Sequence, residues 1–256
     1  MNGYTKSGAL RGIRLLALLT ALGVMLISLT GCLYPKDRLK QNQTAPKEAV
    51  RNVQAAIDQY KTETGMLPIK NSTAETPKYE KFYVDFAKLG RTGYLSDIPA
   101  AAFEKGGSYS FLVIDEETSP RVKLLDILAF QQINDIQNWV TTYIQTNSVL
   151  PKGEQTYPGF YQIDYKEMNK SAPTIRSVFT GQTLQALVDE NGVVYSDYGI
   201  DIMQYIQKSD KKDYAADFDL RALLVDGSDF VPVKAPVYHL VNQEPQAVKP
   251  YDMPFY

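Results

Sequence analysis

The sequence has 256 residues, with 27 lysines and arginines against 29 aspartates and glutamates, and its formal net charge is −2. This balance argues against a nucleic-acid partner, because proteins that bind nucleic acids present a strongly basic surface. The chain contains one cysteine and one histidine, too few for an intramolecular disulfide or a zinc site.

The amino terminus has the pattern of a secretory signal peptide. Lys6, Arg11 and Arg14 precede an apolar run over residues 15–29, and no acidic residue lies before that run. A basic start, a short apolar segment and a small-residue cleavage site are typical of such signals. The run is shorter than the roughly 20 residues that a membrane-spanning helix needs.

The apolar run ends in a tetrapeptide with the form of a bacterial lipobox, Leu29-Thr30-Gly31-Cys32. We predict that residues 1–31 are removed and that Cys32 becomes the lipidated first residue of the mature chain. Each buried acyl methylene contributes about 0.8 kcal/mol, so two or three acyl chains would hold the protein firmly on the membrane. The alternative is an uncleaved membrane anchor with an incidental cysteine. Both interpretations place the bulk of the chain at the cell membrane, facing outside the cytoplasm.

Removal of residues 1–31 leaves 24 basic against 29 acidic side chains, a net charge of −5. A polybasic membrane patch is therefore not expected, and the lipid on Cys32 is the predicted contact with the membrane.

The mature chain begins with a polar stretch without periodicity, residues 32–45, which we interpret as a tether. Thr44 and Pro46 then predict the start of a helix, since proline is tolerated in a first turn. This helix has one apolar face and is expected to end near Gly65. The apolar face consists of Val50, Val53, Ile57 and Tyr60. Two paired strands are predicted further on, at 108–115 and 122–126.

The pattern of this helix recurs 83 residues later in the chain. The recurring apolar positions are Ile133, Ile136, Val140 and Tyr143. Gln54 and Gln137, and Pro68 and Pro151, have the same separation. With small gaps, Val113–Glu116 then aligns with Leu187–Glu190. We infer an α+β fold built from two tandem helix-plus-antiparallel-sheet units, at 46–126 and 127–201.

The remaining carboxyl-terminal part, residues 202–256, follows a predicted hairpin at Asn191-Gly192, where both residues tolerate positive φ. Two helices are expected, one over 200–207 and a shorter one over 218–224. From Asp226 onward the chain is rich in proline, so it cannot be a central strand. We expect either an extended arm packed on the body or a mobile terminus.

Candidate catalytic groups are few. His239 has no nucleophile motif beside it, and we interpret it as an ordinary strand histidine. Asp85 and Asp164 occupy equivalent repeat positions and would suit carboxylate hydrolysis, but a role in closing a turn explains them more simply. No catalytic residue, metal site or cofactor is therefore predicted.

A set of aromatic residues at repeated positions is the candidate binding surface. Its members are Tyr79, Phe82, Tyr83, Tyr157, Phe160 and Tyr161. They could line a groove for a glycan or a peptide, whereas aromatic residues at alternating strand positions more often pack in a core.

Part of the first unit resembles the soluble domain of type II pseudopilins. The matching stretches are Val53–Pro68, Gly93-Tyr94-Leu95 and Ile98-Pro99. In that family, a helix ends in a turn of similar sequence and leads into a small antiparallel sheet. The resemblance implies this helix-on-sheet shape only, because the pilin amino terminus is absent.

Most of the mature chain resembles the YphF-type lipoproteins of Bacillus-like bacteria. The stretches that carry the resemblance are Cys32–Pro35, Leu67–Asn71, Thr76-Pro77, Asp85-Phe86, Ala102–Glu104, Gly106-Gly107 and Val122–Asp126. Members are sometimes labelled as binding components of ABC transporters. The resemblance implies a lipoprotein in a single-membrane envelope and no particular ligand.

From these observations we predict a non-enzymatic, membrane-anchored lipoprotein that binds a protein or wall component of the cell envelope. A solute-binding lipoprotein of an ABC-type transporter, with a cleft between the two units, is the first alternative. A wall-glycan hydrolase with paired carboxylates is the second.

Overall fold

The structure is a computed structural model that describes residues 37–249, and the side chains from residue 46 onward. The predicted lipobox and Cys32 lie outside the described residues, as does the end of the carboxyl-terminal arm. The described residues from Pro46 onward belong to one compact unit. The fold is α+β, a mixture of helices and antiparallel strands.

The helices are α1 (Asp37–Thr64), α2 (Phe86–Arg91), α3 (Ile127–Asn147), α4 (Gly199–Lys208) and α5 (Arg221–Asp226). The strands are β1 (Tyr109–Ile114), β2 (Arg121–Asp126), β3 (Lys152–Tyr157), β4 (Phe160–Ile163), β5 (Ile175–Arg176), β6 (Thr183–Asp189), β7 (Val194–Asp197), β8 (Val237–Val241) and β9 (Glu244–Val248).

The first predicted helix is present as α1, but it begins earlier than expected. It starts at Asp37, within the predicted tether, and Pro46 lies inside it rather than in its first turn. The predicted apolar face is buried, with Val53 and Ile57 fully inaccessible to solvent. The helix ends where expected, because Gly65 takes φ of +72°, a left-handed conformation that terminates helices.

The β1–β2 hairpin is buried on both faces and lies between two hydrophobic cores. One face packs with α1 in the first core, whose members include Val53, Ile57, Leu89, Phe111, Val113, Val122 and Leu124. The opposite face contributes Leu112, Ile114 and Leu125 to a second core that continues beneath α3. The residues 46–126 and 127–201 therefore share a hydrophobic core.

Gln54 fastens α1 to this hairpin. Its carboxamide oxygen accepts a hydrogen bond from the Val122 N–H at 2.7 Å, and its nitrogen donates to the Pro120 carbonyl at 3.0 Å. The side chain thereby satisfies two backbone groups where β2 begins, one of them in a buried residue.

Lys123 is a buried cation on the second-core face of β2. Its ammonium donates to the carbonyls of Val225 at 2.8 Å and Ser228 at 2.5 Å, at the carboxyl-terminal end of α5. Burial, with a contribution from Arg121, lowers the pKa of this lysine. The carbonyls at the end of a helix have no partner within the helix, and the Lys123 ammonium donates to them. Lys123 therefore caps α5.

The second sheet has the order β3-β4-β6-β5, with β7 paired to β6, and α3 packs on it through Ile133, Ile136 and Val140. Gln137 of α3 fastens the β6–β7 hairpin. Its carboxamide oxygen accepts from the Val194 N–H and its nitrogen donates to the Gly192 carbonyl, both at 2.8 Å.

The hairpin predicted at Asn191-Gly192 joins β6 to β7, and only Gly192 takes a positive φ, +81°. The Asp189 carboxylate accepts hydrogen bonds from the N–H groups of Asn191 and Val193, at 2.9 and 2.8 Å. These bonds close the turn while Asn191 keeps a negative φ. The sequence analysis had expected that both residues could take a positive φ.

A segment of the carboxyl-terminal part crosses both the β1–β2 and the β6–β7 hairpin and bonds to the backbone of each. We call residues 229–234 the staple segment. Its Asp229 carbonyl accepts a hydrogen bond from the Leu124 N–H at 2.8 Å, and its Lys234 carbonyl accepts one from the Ser196 N–H at 2.9 Å. The arm is therefore packed on the body over its described part, the first of the two expected outcomes.

Beyond the staple segment, β8 and β9 form a hairpin that the sequence analysis did not anticipate. Asn242 and Gln243 connect these strands with φ of +50° and +65°. Two successive positive φ values are the mark of a tight hairpin turn, which sequences usually encode with glycine. The two predicted helices are present as α4 and α5, the second of them three residues later than expected.

Candidate functional site

The aromatic residues predicted as a possible groove do not share one surface. Tyr79 and Phe160 are core residues, with exposed fractions of 4% and 0%. Phe82 packs against the first core and Tyr83 against the second, because neighbouring residues of an extended chain point to opposite faces. Tyr157 and Tyr161, both half-buried, pack against the second core. Packing in a core is the second of the two roles that the sequence analysis left open for these residues.

Asp85 and Asp164 both close local turns. The Asp85 carboxylate accepts a hydrogen bond from the Lys88 N–H at 2.9 Å, which caps the start of α2. The Asp164 carboxylate accepts one from the Lys166 N–H at 3.0 Å. These contacts account for both carboxylates as turn-closing groups.

His239 lies half-buried on β8, in the strand setting assumed from the sequence. Within residues 37–249, no group of three or more histidine, cysteine, aspartate or glutamate side chains is placed to hold a metal ion.

A gap in the second sheet forms the candidate binding site. On one edge of β6, β4 pairs with residues 187–189 and β5 with residues 183–184. Gln185 and Ala186 have no partner residue on that edge, because the chain leaves the sheet after β4 and returns as β5. The result is a pocket of about 360 Å³, which we call the gap pocket.

The gap pocket is lined by Gln162, Ile163, Tyr165, Ala172, Pro173, Ile175, Thr183, Leu184, Gln185 and Ala186. None of these residues carries a charge at neutral pH. The one titratable residue among them is Tyr165, and burial raises its pKa to about 12, so its hydroxyl is neutral. Buried Ile163, Ile175 and Leu184 supply an apolar floor. Exposed Thr183 and Gln185 lie on the solvent side of β6, as the alternation of strand side chains requires.

The outer wall of the gap pocket is the loop over residues 164–174, and α3 holds it in place. Tyr143 donates a hydrogen bond to the Glu167 carboxylate at 2.7 Å, and the Gln132 side chain donates to the Thr174 carbonyl at 3.3 Å. Between them, the Lys170 ammonium lies 5.2 Å from the centre of the Trp139 ring. These contacts fix both ends and the middle of the loop.

The opposite wall, β5, is held by a buried carboxylate. Asp201 of α4, 2% exposed, accepts hydrogen bonds from the hydroxyls of Ser177 and Thr180, both at 2.6 Å. The Ser177 oxygen in turn accepts the Phe179 N–H at 3.1 Å. Because Ser177 directly follows β5, this network fixes the strand that closes the pocket.

The side chains that rim the gap pocket are not engaged with the rest of the described chain. Within residues 37–249, the polar side-chain atoms of Gln162, Tyr165, Thr183 and Gln185 make no hydrogen bond to another protein group. The rim therefore offers two carboxamides and two hydroxyls that can donate and accept hydrogen bonds. A largely apolar pocket with a few converging polar groups is the usual form of a ligand site.

The described residues thus define an α+β protein with a pocket of uncharged residues in its second sheet. Residues 46–126 match the YphF family N-terminal domain. The match begins at Pro46 within α1, ends with the β1–β2 hairpin, and supports the resemblance to that family. The gap pocket lies outside the matched residues. No curated protein and no solved structure matches the chain.

Proposed function

We propose that the protein is a lipid-anchored, extracytoplasmic binding protein of the cell envelope. The observation that carries the anchoring is the lipobox Leu29–Cys32 directly after a signal-like apolar run. No helix within residues 37–249 is long and apolar enough to cross a membrane. In this proposal the anchor is the set of acyl chains on Cys32, each methylene adding about 0.8 kcal/mol of membrane affinity.

The anchoring is tested with a Cys32→Ser variant of the full precursor, expressed beside the unaltered chain. We expect the unaltered chain in the detergent-rich phase after phase separation, with a mass that shows a diacylated amino terminus at Cys32. The variant should lose the acyl mass. An unaltered chain that keeps residues 1–31 and carries no acyl mass would overturn the lipid anchor in favour of an uncleaved apolar segment.

The binding role is supported by the gap pocket. Its walls are fixed by α3 and by Asp201, and its rim groups point to no protein partner among the described residues. Walls that are already held favour binding because little backbone ordering remains to be lost, and the rim groups are available to a ligand.

A photoreactive side chain at position 185 tests this role in intact envelopes. We expect crosslinking to an envelope component identified by mass spectrometry. The same side chain at exposed Gln145, on α3 outside the pocket, is the matched control and should not capture that component. Equal capture at both positions, or none at 185, would refute a binding role for the pocket.

A solute-binding role is the second candidate, and the volume of the gap pocket favours it. At about 360 Å³, it lies at the lower end of the range for small-molecule sites, roughly 300–1,000 Å³. The pocket lies within the second sheet, however, and not in the cleft between the two units that the sequence analysis expected.

We further infer that residues 46–126 and 127–201 arose by duplication. Gln54 and Gln137, 83 positions apart, make the same pair of backbone contacts. The staple segment contacts the backbone two residues beyond each of these sites, at Leu124 and Ser196. Recurrence of the same contacts in the same order supports one ancestral unit.

The turns after the two helices support the same inference. The Asp85 N–H donates to the Pro68 carbonyl at 2.8 Å, and the Asp164 N–H donates to the Pro151 carbonyl at 2.9 Å. In each unit, this bond joins the segment that follows the helix to the next extended segment.

A further inference from the structure

We propose that the gap pocket binds an uncharged saccharide. The proposal rests on the binding role given above and names the chemical class of the ligand. It follows from three features of the pocket: the charge of its lining, the kind of hydrogen-bonding groups on its rim, and the apolar floor beneath them.

The lining favours an uncharged ligand. Among the ten lining residues there is no lysine, arginine, aspartate or glutamate. A phosphate, a free amino acid or a sugar acid would give up part of its hydration in such a pocket without gaining an ion pair, and an unpaired charge is costly to desolvate. A neutral ligand avoids this cost.

The rim favours a ligand with hydroxyl or acetamido groups. The carboxamides of Gln162 and Gln185 each offer both donors and an acceptor, and the Thr183 hydroxyl also does both. A sugar hydroxyl likewise donates and accepts, so each such group can be satisfied whichever way it is turned. A purely apolar ligand would leave these rim groups unpaired where it excludes water, at a cost of about 1–3 kcal/mol each.

The floor favours a ring with one apolar face. Ile163 and Leu184 are buried beneath the rim, and the half-buried ring of Tyr165 stands beside them. A pyranose ring carries its C–H groups on its faces and its hydroxyls around its edge. That distribution matches an apolar floor inside a polar rim, and an aromatic ring adds a rigid contact surface.

The test is isothermal titration of the mature lipoprotein in a sugar-free detergent. The matched ligand pair is N-acetylglucosamine, which is neutral, and glucosamine, which carries an ammonium; cellobiose and N,N′-diacetylchitobiose extend the neutral series. We expect saturable binding of at least one neutral sugar, and at least tenfold weaker binding of glucosamine, which corresponds to about 1.4 kcal/mol.

Two variants assign the binding to the pocket. Gln185→Leu should weaken the binding of the neutral sugar about tenfold, because one rim group is lost. Gln155→Leu, a matched change on exposed β3 outside the pocket, should leave it unchanged. Urea unfolding of both variants controls for stability.

Three outcomes would overturn the proposal that the gap pocket binds an uncharged saccharide. They are equal binding of glucosamine, no binding of any neutral sugar, and equal effects of the two variants. If the titration fails but the side chain at position 185 still captures an envelope component, the binding role is supported and only the saccharide is refuted. Failure of both experiments would remove both proposals.

Discussion

Gln54 and Gln137 lie on different helices, and each holds the first residues of a returning strand by the same two hydrogen bonds. The carboxamide oxygens accept from the N–H groups of Val122 and Val194, both residues being 2% exposed. Each carboxamide nitrogen donates to the carbonyl two positions earlier. A glutamine in the middle of an amphipathic helix is thereby part of the interface between helix and hairpin at both places.

Replacing either glutamine should destabilise the fold by a similar amount. Gln54→Leu and Gln137→Leu each leave one buried N–H and one carbonyl without a partner, and we expect a loss of about 1–3 kcal/mol in the free energy of unfolding. Urea unfolding measures this loss. Gln145→Leu, at an exposed site of α3, is the control and should change stability by less than about 0.5 kcal/mol. A loss confined to one of the two glutamine variants would contradict their equivalence.

Asp85 should contribute to stability as a helix cap. Asp85→Ala removes the acceptor for the Lys88 N–H and is expected to cost about 1 kcal/mol, whereas Asp85→Asn keeps an acceptor oxygen and should cost much less. Asp97→Ala, at an exposed site, serves as the control in the same urea titration. If the alanine and asparagine variants lose equal stability, the carboxylate has another role than capping.

Gly106 and Gly107 are adjacent glycines that are required for different reasons. Gly106 has φ of +80° and open space where a side-chain carbon would lie, so Gly106→Ala should cost only the backbone strain, about 1–2 kcal/mol. At Gly107, an added carbon would lie 2.2 Å from the backbone of Ala101, which cannot move as a side-chain end can. We therefore expect Gly107→Ala to lower the free energy of unfolding by more than Gly106→Ala does, when both variants are unfolded in urea. The reverse order would contradict the close backbone approach at Gly107.

The helices and hairpins were predictable because their signals are local. The face of Val53 and Ile57 follows from the 3.6-residue period, and the β6–β7 turn follows from Asn191-Gly192. The turn at Asn242-Gln243 was missed because no glycine marks its positive φ values. Local patterns therefore identify elements wherever the turn carries its usual residues.

The alignment of residues 46–126 with residues 127–201 was not predictable at the level of single residues. The sequence aligned Val113 with Leu187, whereas the pairing of Val113 with Val122 corresponds to that of Val188 with Val194. The difference is one residue. Because strand side chains alternate, a slip of one residue exchanges the two faces, and only the cross-strand partners and the glutamine contacts resolve it.

The gap pocket could not be predicted because it depends on pairings between distant segments. It exists only because β4 and β5 pair with different parts of β6 and leave Gln185 and Ala186 between them. Nothing in the local sequence of residues 183–186 distinguishes this strand from one that is paired along its whole length. The candidate groove of six aromatic residues included Tyr79 and Phe160, which pack in the cores because large apolar rings bury the most surface.

Buried tyrosines should make the protein sensitive to alkaline pH. Burial raises the pKa of Tyr165 and Tyr195 to about 12, and it raises the pKa of Tyr157, Tyr198 and Tyr238 as well. In the unfolded chain these hydroxyls ionise near pH 10. The folded state therefore keeps protons that the unfolded state releases, so stability is fully present below about pH 10 and is lost as the pH rises above it.

The expected slope can be given for the two tyrosines that are almost completely buried. Above about pH 10, Tyr198 and Tyr238 should each lower the free energy of unfolding by up to about 1.4 kcal/mol per pH unit. Lys123 acts in the opposite direction, because its lowered pKa makes the unfolded state bind the extra proton, but it is one group against several.

Urea unfolding at a series of pH values between about 8 and 11, with tyrosinate absorbance followed in parallel, measures this dependence. Tyr165→Phe removes one raised pKa and should flatten the alkaline slope. At neutral pH it should change stability little, because the hydroxyl of Tyr165 makes no hydrogen bond within residues 37–249. If the free energy of unfolding stays constant to about pH 11, or if all tyrosines of the folded protein ionise near pH 10, these hydroxyls are hydrated and the packing around them is looser than the structure shows.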